Sequence, residues 1–486
     1  MKVSLIFTPN ELNLNYSHAS VRDDSIGFIP PLSLMTVASI LEKEGVEVQI
    51  IDMIAEEISF DEALQRISEF KPDLLGFTLS TSSFQIVLKW IKLFKKATGI
   101  PILAGGIHVA IYPSETMTHE DIDYTILGEA EIPLPQFVRA FQNGKDYSGI
   151  KAFGYRDENG EPVIEKSRQF LHEIDDVPWP ARHLLKNDLY SNILTRRKNF
   201  TAMLFTRGCV YKCTFCDQKN PPYRTRTPRS FVDEVKFNLE NYNIREFDIY
   251  DSTFTANRKL VLEICRLIKE ENLDVGWTIR SRIDSVNEKV LDALKEAGCH
   301  TIMFGIESSN PVLLKAMMKN PDVDRIRRIV KYCSKIGIET LGFFILGIPG
   351  DTRQTIEDTI QFSLEIPLNY AQYTVLIPVP ETELYAYYLV NGLGDYWSKN
   401  TVNPENLSEI ELKGTELNRA ETLRYVDLAY KKFYYRPRII WDRLKRVRTI
   451  TDFRRLSLGA YNIMKKYISS RFSHKPMTIA EELTTH

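Results

Sequence analysis

Residues 207–218 read RGCVYKCTFCDQ, and they place Cys209, Cys213 and Cys216 within eight residues at C-x3-C-x2-C spacing. Three is an odd number of thiolates. Structural zinc closes with four ligands, and a cubane iron–sulfur cluster has four irons to hold. His300, beside Cys299, is a candidate fourth zinc ligand. Zinc ribbons, however, are built from paired C-x2-C knuckles. Three buried structural cysteines are a second alternative, against which the hydroxyl, Lys and Gly neighbours mark an exposed loop. The spacing points to a [4Fe–4S] cluster with one iron left open, as catalytic metal sites keep a position open. An open iron can chelate an amino group and carboxylate of a small molecule.

The cysteine stretch follows an apolar strand pattern, TAMLFT (201–206). Five more such patterns come after it: FDIYDS, VGWTIRSR, TIMFGIES, LGFFILG and AQYTVLIPV. Helical periodicity fills the intervals, as in FVDEVKFNLENY and KLVLEICRLIKEE. Six β/α units predict a partial (β/α)6 barrel over 197–385, with its chemistry at the C-terminal strand ends. Residues 1–145 alternate in the same way, from KVSLIFT to YTILGEAE, and predict a doubly wound, Rossmann-like α/β domain. Ligands bind such sheets at the C-terminal strand ends. Residues 146–196 lose the rhythm, and IDDVPWPAR reads as an extended linker.

Residues 386–486 read as a basic, mostly helical region. Between 431 and 475 there are 14 Lys or Arg against two Asp, interleaved with Tyr, Trp, Phe, Ile and Leu. That mixture suits an anionic membrane surface or a solvated helix face. No nucleic-acid-binding module accompanies it, and no nucleic-acid partner is expected. Composition is globular, with 43% hydrophobic residues and a net charge of -2. No apolar run approaches the roughly 18 residues of a membrane span. MKVSLIFTPNELN is too short an apolar stretch for a signal peptide. With Cys265, Cys299 and Cys333 scattered, a reducing cytoplasm is expected, with membrane association through 431–475.

The C-x3-C-x2-C motif after a first barrel strand, with Phe215 just before its last cysteine, resembles the radical S-adenosylmethionine enzymes. The resemblance covers the whole chain. Residues 1–145 look like a cobalamin-binding domain, and 197–385 like the radical core. FYYRP (433–437) looks like the C-terminal part of a subgroup containing anaerobic magnesium-protoporphyrin ester cyclases and hopanoid-modifying enzymes. This implies a [4Fe–4S] cluster on Cys209, Cys213 and Cys216, with S-adenosylmethionine on the open iron. It implies a 5′-deoxyadenosyl radical that abstracts hydrogen from an unactivated carbon, and an external low-potential flavodoxin or ferredoxin as electron donor.

The resemblance also implies S-adenosylmethionine contacts at Phe215, Asp251, Ser252, Arg282, Glu307, Ser308 and Gly347. Each has an alternative. Ser252 or Thr253 could cap a helix. Arg280 and Arg282 could pair with Asp284 or Glu307. Asp351 or Thr352 could simply close the loop after Gly347. In YRTRTPRS (223–230), Arg224, Arg226 and Arg229 face an anionic substrate, the cluster, or solvent. No catalytic acid or base is assigned.

For cobalamin, none of the eight histidines has Asp two positions earlier, so a D-x-H-x-x-G lower-ligand site is absent. Candidate contacts are Thr78, Ser80, Thr81, Ser82, Gly105, Gly106, His108, Gly128 and Glu129, with a surface-loop histidine as the alternative for His108. The expected activity is cobalamin-dependent C-methylation of a small-molecule or lipid-like substrate. The alternative is radical cyclisation, dehydration or rearrangement without methyl transfer. A methylthiotransferase would carry more clustered cysteines.

Overall fold

The computed structural model describes residues 1–9, 27–144, 146–192, 194–219, 221–320, 322–391 and 414–444. The N-terminal strands are β1 (Lys2–Phe7), β2 (Glu47–Asp52), β3 (Leu74–Thr78), β4 (Ile102–Gly105) and β5 (Tyr124–Ile126). They pair in parallel in the order β2-β1-β3-β4-β5. Helices α1 (Leu32–Lys43), α2 (Phe60–Phe70), α3 (Phe84–Thr98), α4 (Ile107–Ile111), α5 (Pro113–Met117) and α6 (Pro133–Gln142) connect them. Two separate apolar cores cover the two faces. Val3 and Leu5 meet α1 and α6, while Ile6 and Phe77 meet α2 and α3. Burial on both faces is why these strands read as continuous apolar runs rather than alternating ones.

This sheet continues beyond residue 145. β6 (Phe153–Arg156) and β7 (Pro162–Glu165) add an antiparallel hairpin to β5, inside the stretch read as linker. β7 is mostly exposed, so it carries no alternation of polar and apolar residues to detect. Its turn is held by Asp157, whose Oδ1 accepts the Asn159 and Glu161 N–H groups.

The second sheet comprises β8 (Phe200–Met203), β11 (Glu246–Ile249), β12 (Gly276–Ser281), β13 (Cys299–Glu307), β14 (Glu339–Leu346) and β15 (Tyr370–Val375), in sequential parallel order. These are the six expected strands. Between β8 and β11 a short antiparallel pair, β9 (Thr206–Arg207) and β10 (Arg224–Thr225), closes the base of the cysteine loop. Helices α7 (Pro228–Tyr242), α8 (Arg258–Glu270), α9 (Glu288–Glu296), α10 (Pro311–Ala316), α11 (Val323–Ile336) and α12 (Arg353–Glu365) link the strands.

A partial barrel leaves an edge strand whose backbone groups need partners. Helix α13 (Glu383–Val390) follows β15, and α14 (Arg419–Tyr434) then packs along β15. The Tyr434 hydroxyl donates to Ala371 O at 2.8 Å and accepts from Ala371 N–H at 3.1 Å. Tyr430 serves both backbone groups of Tyr373 in the same way, at 3.3 and 3.2 Å. One tyrosine of FYYRP is therefore an edge cap. In the last helix, α15 (Pro437–Leu444), Ile440 and Trp441 are 45% and 59% exposed. The rest of the basic stretch lies outside the described residues. No helix among the described residues is long and apolar enough to cross a membrane.

Candidate active site

The two domains meet at their C-terminal strand ends. A cleft of about 400 Å³ lies between them. Ser80, Thr81, Ser82, Ile107 and Ile111 form one wall. Phe215 and Asp217 of the cysteine loop, with Ile345 and the segment after β15, form the other.

Burial pushes the Cys216 thiol up to about 11 and also raises Cys213, which Lys319 and Arg282 partly offset. Cluster loading must therefore displace thiol protons. Among the described residues, no three Cys, His, Asp or Glu side chains converge on a single-ion site. The candidate zinc ligand His300 is committed elsewhere. Its Nε2 meets Glu246 Oε1 at 2.6 Å and its Nδ1 meets Thr301 Oγ1 at 2.9 Å, at the opposite end of the strands.

The segment after β11 grips the loop that carries the cysteines. Asp251 is fully buried, and its Oδ1 accepts the N–H groups of Phe205 (2.8 Å) and Thr206 (3.0 Å). Burial raises its carboxyl to about 6. Its Oδ2 and the Tyr223 hydroxyl are buried without a hydrogen-bond partner, and Cys209 and Asp251 both act electrostatically on Tyr223. Orphaned polar atoms beside a cysteine fit a site shaped for a group the polypeptide does not supply. Ser252 Oγ donates to Gln218 Oε1 at 2.9 Å, and Thr253 Oγ1 lies 3.8 Å from Cys209 Sγ. Neither caps α8; Asn257 does.

Arg282 takes the Asp284 pairing and also reaches a cysteine of the loop. Its guanidinium forks onto Asp284 at 2.9 and 2.7 Å, stacks on Tyr211, and sends Nη1 to Cys213 Sγ at 3.2 Å. Arg280 instead pairs with Asp248. Glu307 ends β13 with φ 67°, beside a register shift from Gly305. A left-handed non-glycine costs on the order of 1–3 kcal/mol and gathers at functional sites. Its Oε1 accepts from Lys319 Nζ at 2.7 Å, with both side chains buried. Lys319 had no motif to reveal it, since it lies 12 residues on, after α10. Lys319→Met is expected to leave Glu307 buried and unpaired. S-adenosylmethionine affinity should then fall at least tenfold, measured by equilibrium dialysis on reconstituted protein; unchanged affinity would remove Glu307 from the binding site.

Other candidate residues make contacts within the protein. Ser308 Oγ accepts from Asn310 N–H and meets Thr359, so it shapes the start of α10. Gly347 has φ 81°, and its N–H and that of Ile348 both donate to Asp351 Oδ2 at 2.9 Å. Thr352 caps α12. Arg224 and Arg226 are neither solvated nor free for a substrate. Arg224 pairs with Glu129, and Arg226 with Glu234. Arg229 meets Asp233 and Glu271.

In the N-terminal domain, Gly105 and Gly128 face open space, with nothing within 4 Å of where a Cβ would stand. The hydroxyls of Ser80, Ser82 and Ser83 bond to one another at the cleft wall. Thr78 ends β3, and its Oγ1 lies beside Gly106. Gly106 serves packing: a Cβ there would lie 2.6 Å from Leu79 O. His108 is not the surface-loop histidine of its alternative reading. Helix α4 turns Ile107 toward the cleft and His108 inward, fully buried and stacked on Phe84 with ring centroids 3.8 Å apart. Burial pushes its pKa down to about 3, so the ring is neutral. Glu129 is likewise held in ion pairs rather than presented to the cleft.

Residues 203–363 match the radical SAM superfamily, and residues 21–138 match the B12 binding domain. An uncharacterized methyltransferase of Pyrococcus horikoshii is 32% identical over 448 residues, covering 90% of this chain and 94% of that protein. The cytidylyl-2-hydroxyethylphosphonate methyltransferase of Streptomyces wedmorensis is 27% identical over 428 residues, covering 77% and 80%. The radical S-adenosylmethionine methyltransferase TsrM of Kitasatospora setae, with cobalamin and a [4Fe–4S] cluster bound, superposes with a TM-score of 0.63 at 21% identity, covering 80% and 75%.

Proposed function

We propose that this chain, which belongs to the B12-binding radical S-adenosylmethionine enzymes, methylates an unactivated carbon of a small-molecule or lipid-like substrate. The observation that carries this reading is the shared cleft. The serine turn after β3 and helix α4 face Phe215 and Asp217 of the cysteine loop across it. A substrate seated there touches both domains at once, as a hydrogen-abstracting centre and a methyl donor require. When bound, the cluster with S-adenosylmethionine supplies the hydrogen-abstracting radical, and cobalamin supplies the methyl group.

The chain's own residues divide the remaining work. Cys209, Cys213 and Cys216 hold the cluster. Asp251, Ser252 and Arg282 keep the cysteine loop in place. Gly105, Gly128 and the hydroxyls of residues 80–82 fit the corrin side. Ile107, Ile111, Phe215, Ile345, Leu376 and Val379 line the cleft with apolar surface that excludes water, and such walls suit a substrate with a large apolar part.

The test is anaerobic reconstitution with iron, sulfide and hydroxocobalamin, followed by S-adenosylmethionine carrying a labelled methyl group. A retained corrin spectrum and label on cobalamin are expected. Protein that retains no corrin overturns the methylase reading and leaves cyclisation or rearrangement.

A low-potential flavodoxin or ferredoxin fits as electron donor. Exposed Ile440 and Trp441, beside Lys431, Lys432 and Arg438, fit an anionic lipid surface. Vesicles containing phosphatidylglycerol are expected to co-sediment the protein, while Trp441→Ser with Ile440→Ser abolishes this. Equal recovery on neutral vesicles argues against an electrostatic contact.

A further inference from the structure

The cysteine loop leaves the barrel through a tight neck. In the β9–β10 pair Arg207 sits directly opposite Arg224, so the three cysteines lie on a loop closed by that rung and its neighbour. Gly208, at φ 72°, allows the closure, since a Cβ there would lie 2.3 Å from Pro221 O.

Two guanidinium groups at one neck repel each other unless anions lie between them. Here both anions come from the other domain, from the turn between β5 and α6. Arg224 forks onto Glu129, with Nη1 to Oε2 at 2.9 Å and Nη2 to Oε1 at 2.6 Å. It also donates to Leu171 O at 2.6 Å and lies over the Phe170 ring. Arg207 donates to Glu131 Oε1 at 2.6 Å and sits 3.3 Å from Glu129 Oε2. Arg224 and Glu131 are buried, and Arg207 and Glu129 nearly so.

We infer that Glu129 and Glu131 are positioning residues that fix the cysteine loop against the C-terminal edge of the B12-binding sheet. A forked Arg–carboxylate pair sets orientation as well as distance. The fork on one leg of the loop and the Arg207 contacts on the other restrain its tilt, which one contact would leave free. What is positioned rests on the proposed function; the four-residue clamp itself does not. Removing Glu129 strips the buried Arg224 of its carboxylate, and removing Glu131 leaves Arg207 with the 3.3 Å contact to Glu129, so the loop is loosened at its base.

The test uses the full chain with Glu129→Gln, Glu131→Gln and the double substitution. In protein without cluster or cobalamin, hydrogen exchange across residues 209–217 is expected to accelerate at least about tenfold, with β12 to β14 unchanged. After reconstitution, iron content and corrin retention are expected to match the parent. The magnetic interaction between the reduced cluster and cob(II)alamin, read by electron paramagnetic resonance, should change. Parent-like exchange in the double variant overturns the inference. So does acceleration that spreads to β12–β14, which would make the clamp a general fold contact. Loss of corrin with parent-like loop exchange also overturns it and makes Glu129 a ligand contact. The exchange arm needs no cobalamin, so it stands if the methylase reading fails. If the double variant does not fold, Glu131→Gln alone carries both measurements, because Arg224 then keeps its fork.

Discussion

Cys213→Ala is expected to keep the fold and to lose S-adenosylmethionine cleavage by on the order of 10³-fold or more, as when one member of a functional unit is removed. Cys213 is the middle ligand of the three, and its Sγ is the atom that Arg282 Nη1 contacts at 3.2 Å. The substitution removes a thiolate and also leaves Arg282 with Asp284 as its remaining anion. Cys299→Ala is the control. Cys299 is more deeply buried and burial likewise raises its thiol, but it sits at the far end of β13, away from the cleft. Iron content and 5′-deoxyadenosine release, measured anaerobically with dithionite, should fall in the first variant and persist in the second. Cleavage retained in Cys213→Ala would remove the radical assignment itself.

Glu234→Leu is expected to cost about 3–5 kcal/mol, the range for stripping the partner from a buried charge. Glu234 lies on α7 between two buried cations. Arg182, from the segment after the hairpin, reaches its Oε1 at 2.7 Å, and Arg226 reaches its Oε2. Arg182 also donates to Thr201 Oγ1 and Ala202 O on β8, each at 3.0 Å. Without Glu234, Arg182, whose cation burial already weakens, loses its buried counter-charge, while Arg226 keeps Asp175 at 3.6 Å. Replacing Glu234 together with Arg182→Met should recover part of the loss, because the unpaired Arg182 charge then disappears. Denaturant unfolding followed by tryptophan fluorescence measures both. A loss below about 1 kcal/mol for Glu234→Leu would show that water enters the pair.

These two positions illustrate how unevenly the chain can be read. The cysteine site was legible because its ligands lie within eight residues, so spacing alone constrains the chemistry. The six strands and the five longer helices around it were legible because each is either buried on both faces or amphipathic. Arg182 stood inside a stretch without periodicity, and its partner lies 52 positions away. Glu129 was noticed as a strand-end residue, but its ion-pair partner, Arg224, is 95 positions further on and left no local signal. The burial of His108 was hidden for a smaller reason. A five-residue helix is too short for periodicity to say which of Ile107 and His108 points inward.

The sequence by itself determined the parallel strands of the two sheets, their order along the chain and the family, and singled out the three cysteines proposed as cluster ligands. Each of these depends on periodicity or on spacing within a few residues, which a linear string records. Only the tertiary structure decided which charged residues pair with one another and which of those pairs join the two domains. It committed Glu129, Arg224 and Arg226 to ion pairs, turned His108 into the core, and set Lys319 against Glu307. The reason is physical. A buried charge takes whichever opposite charge the packing brings near, and that neighbour comes from elsewhere in the chain, at a separation that no local pattern encodes.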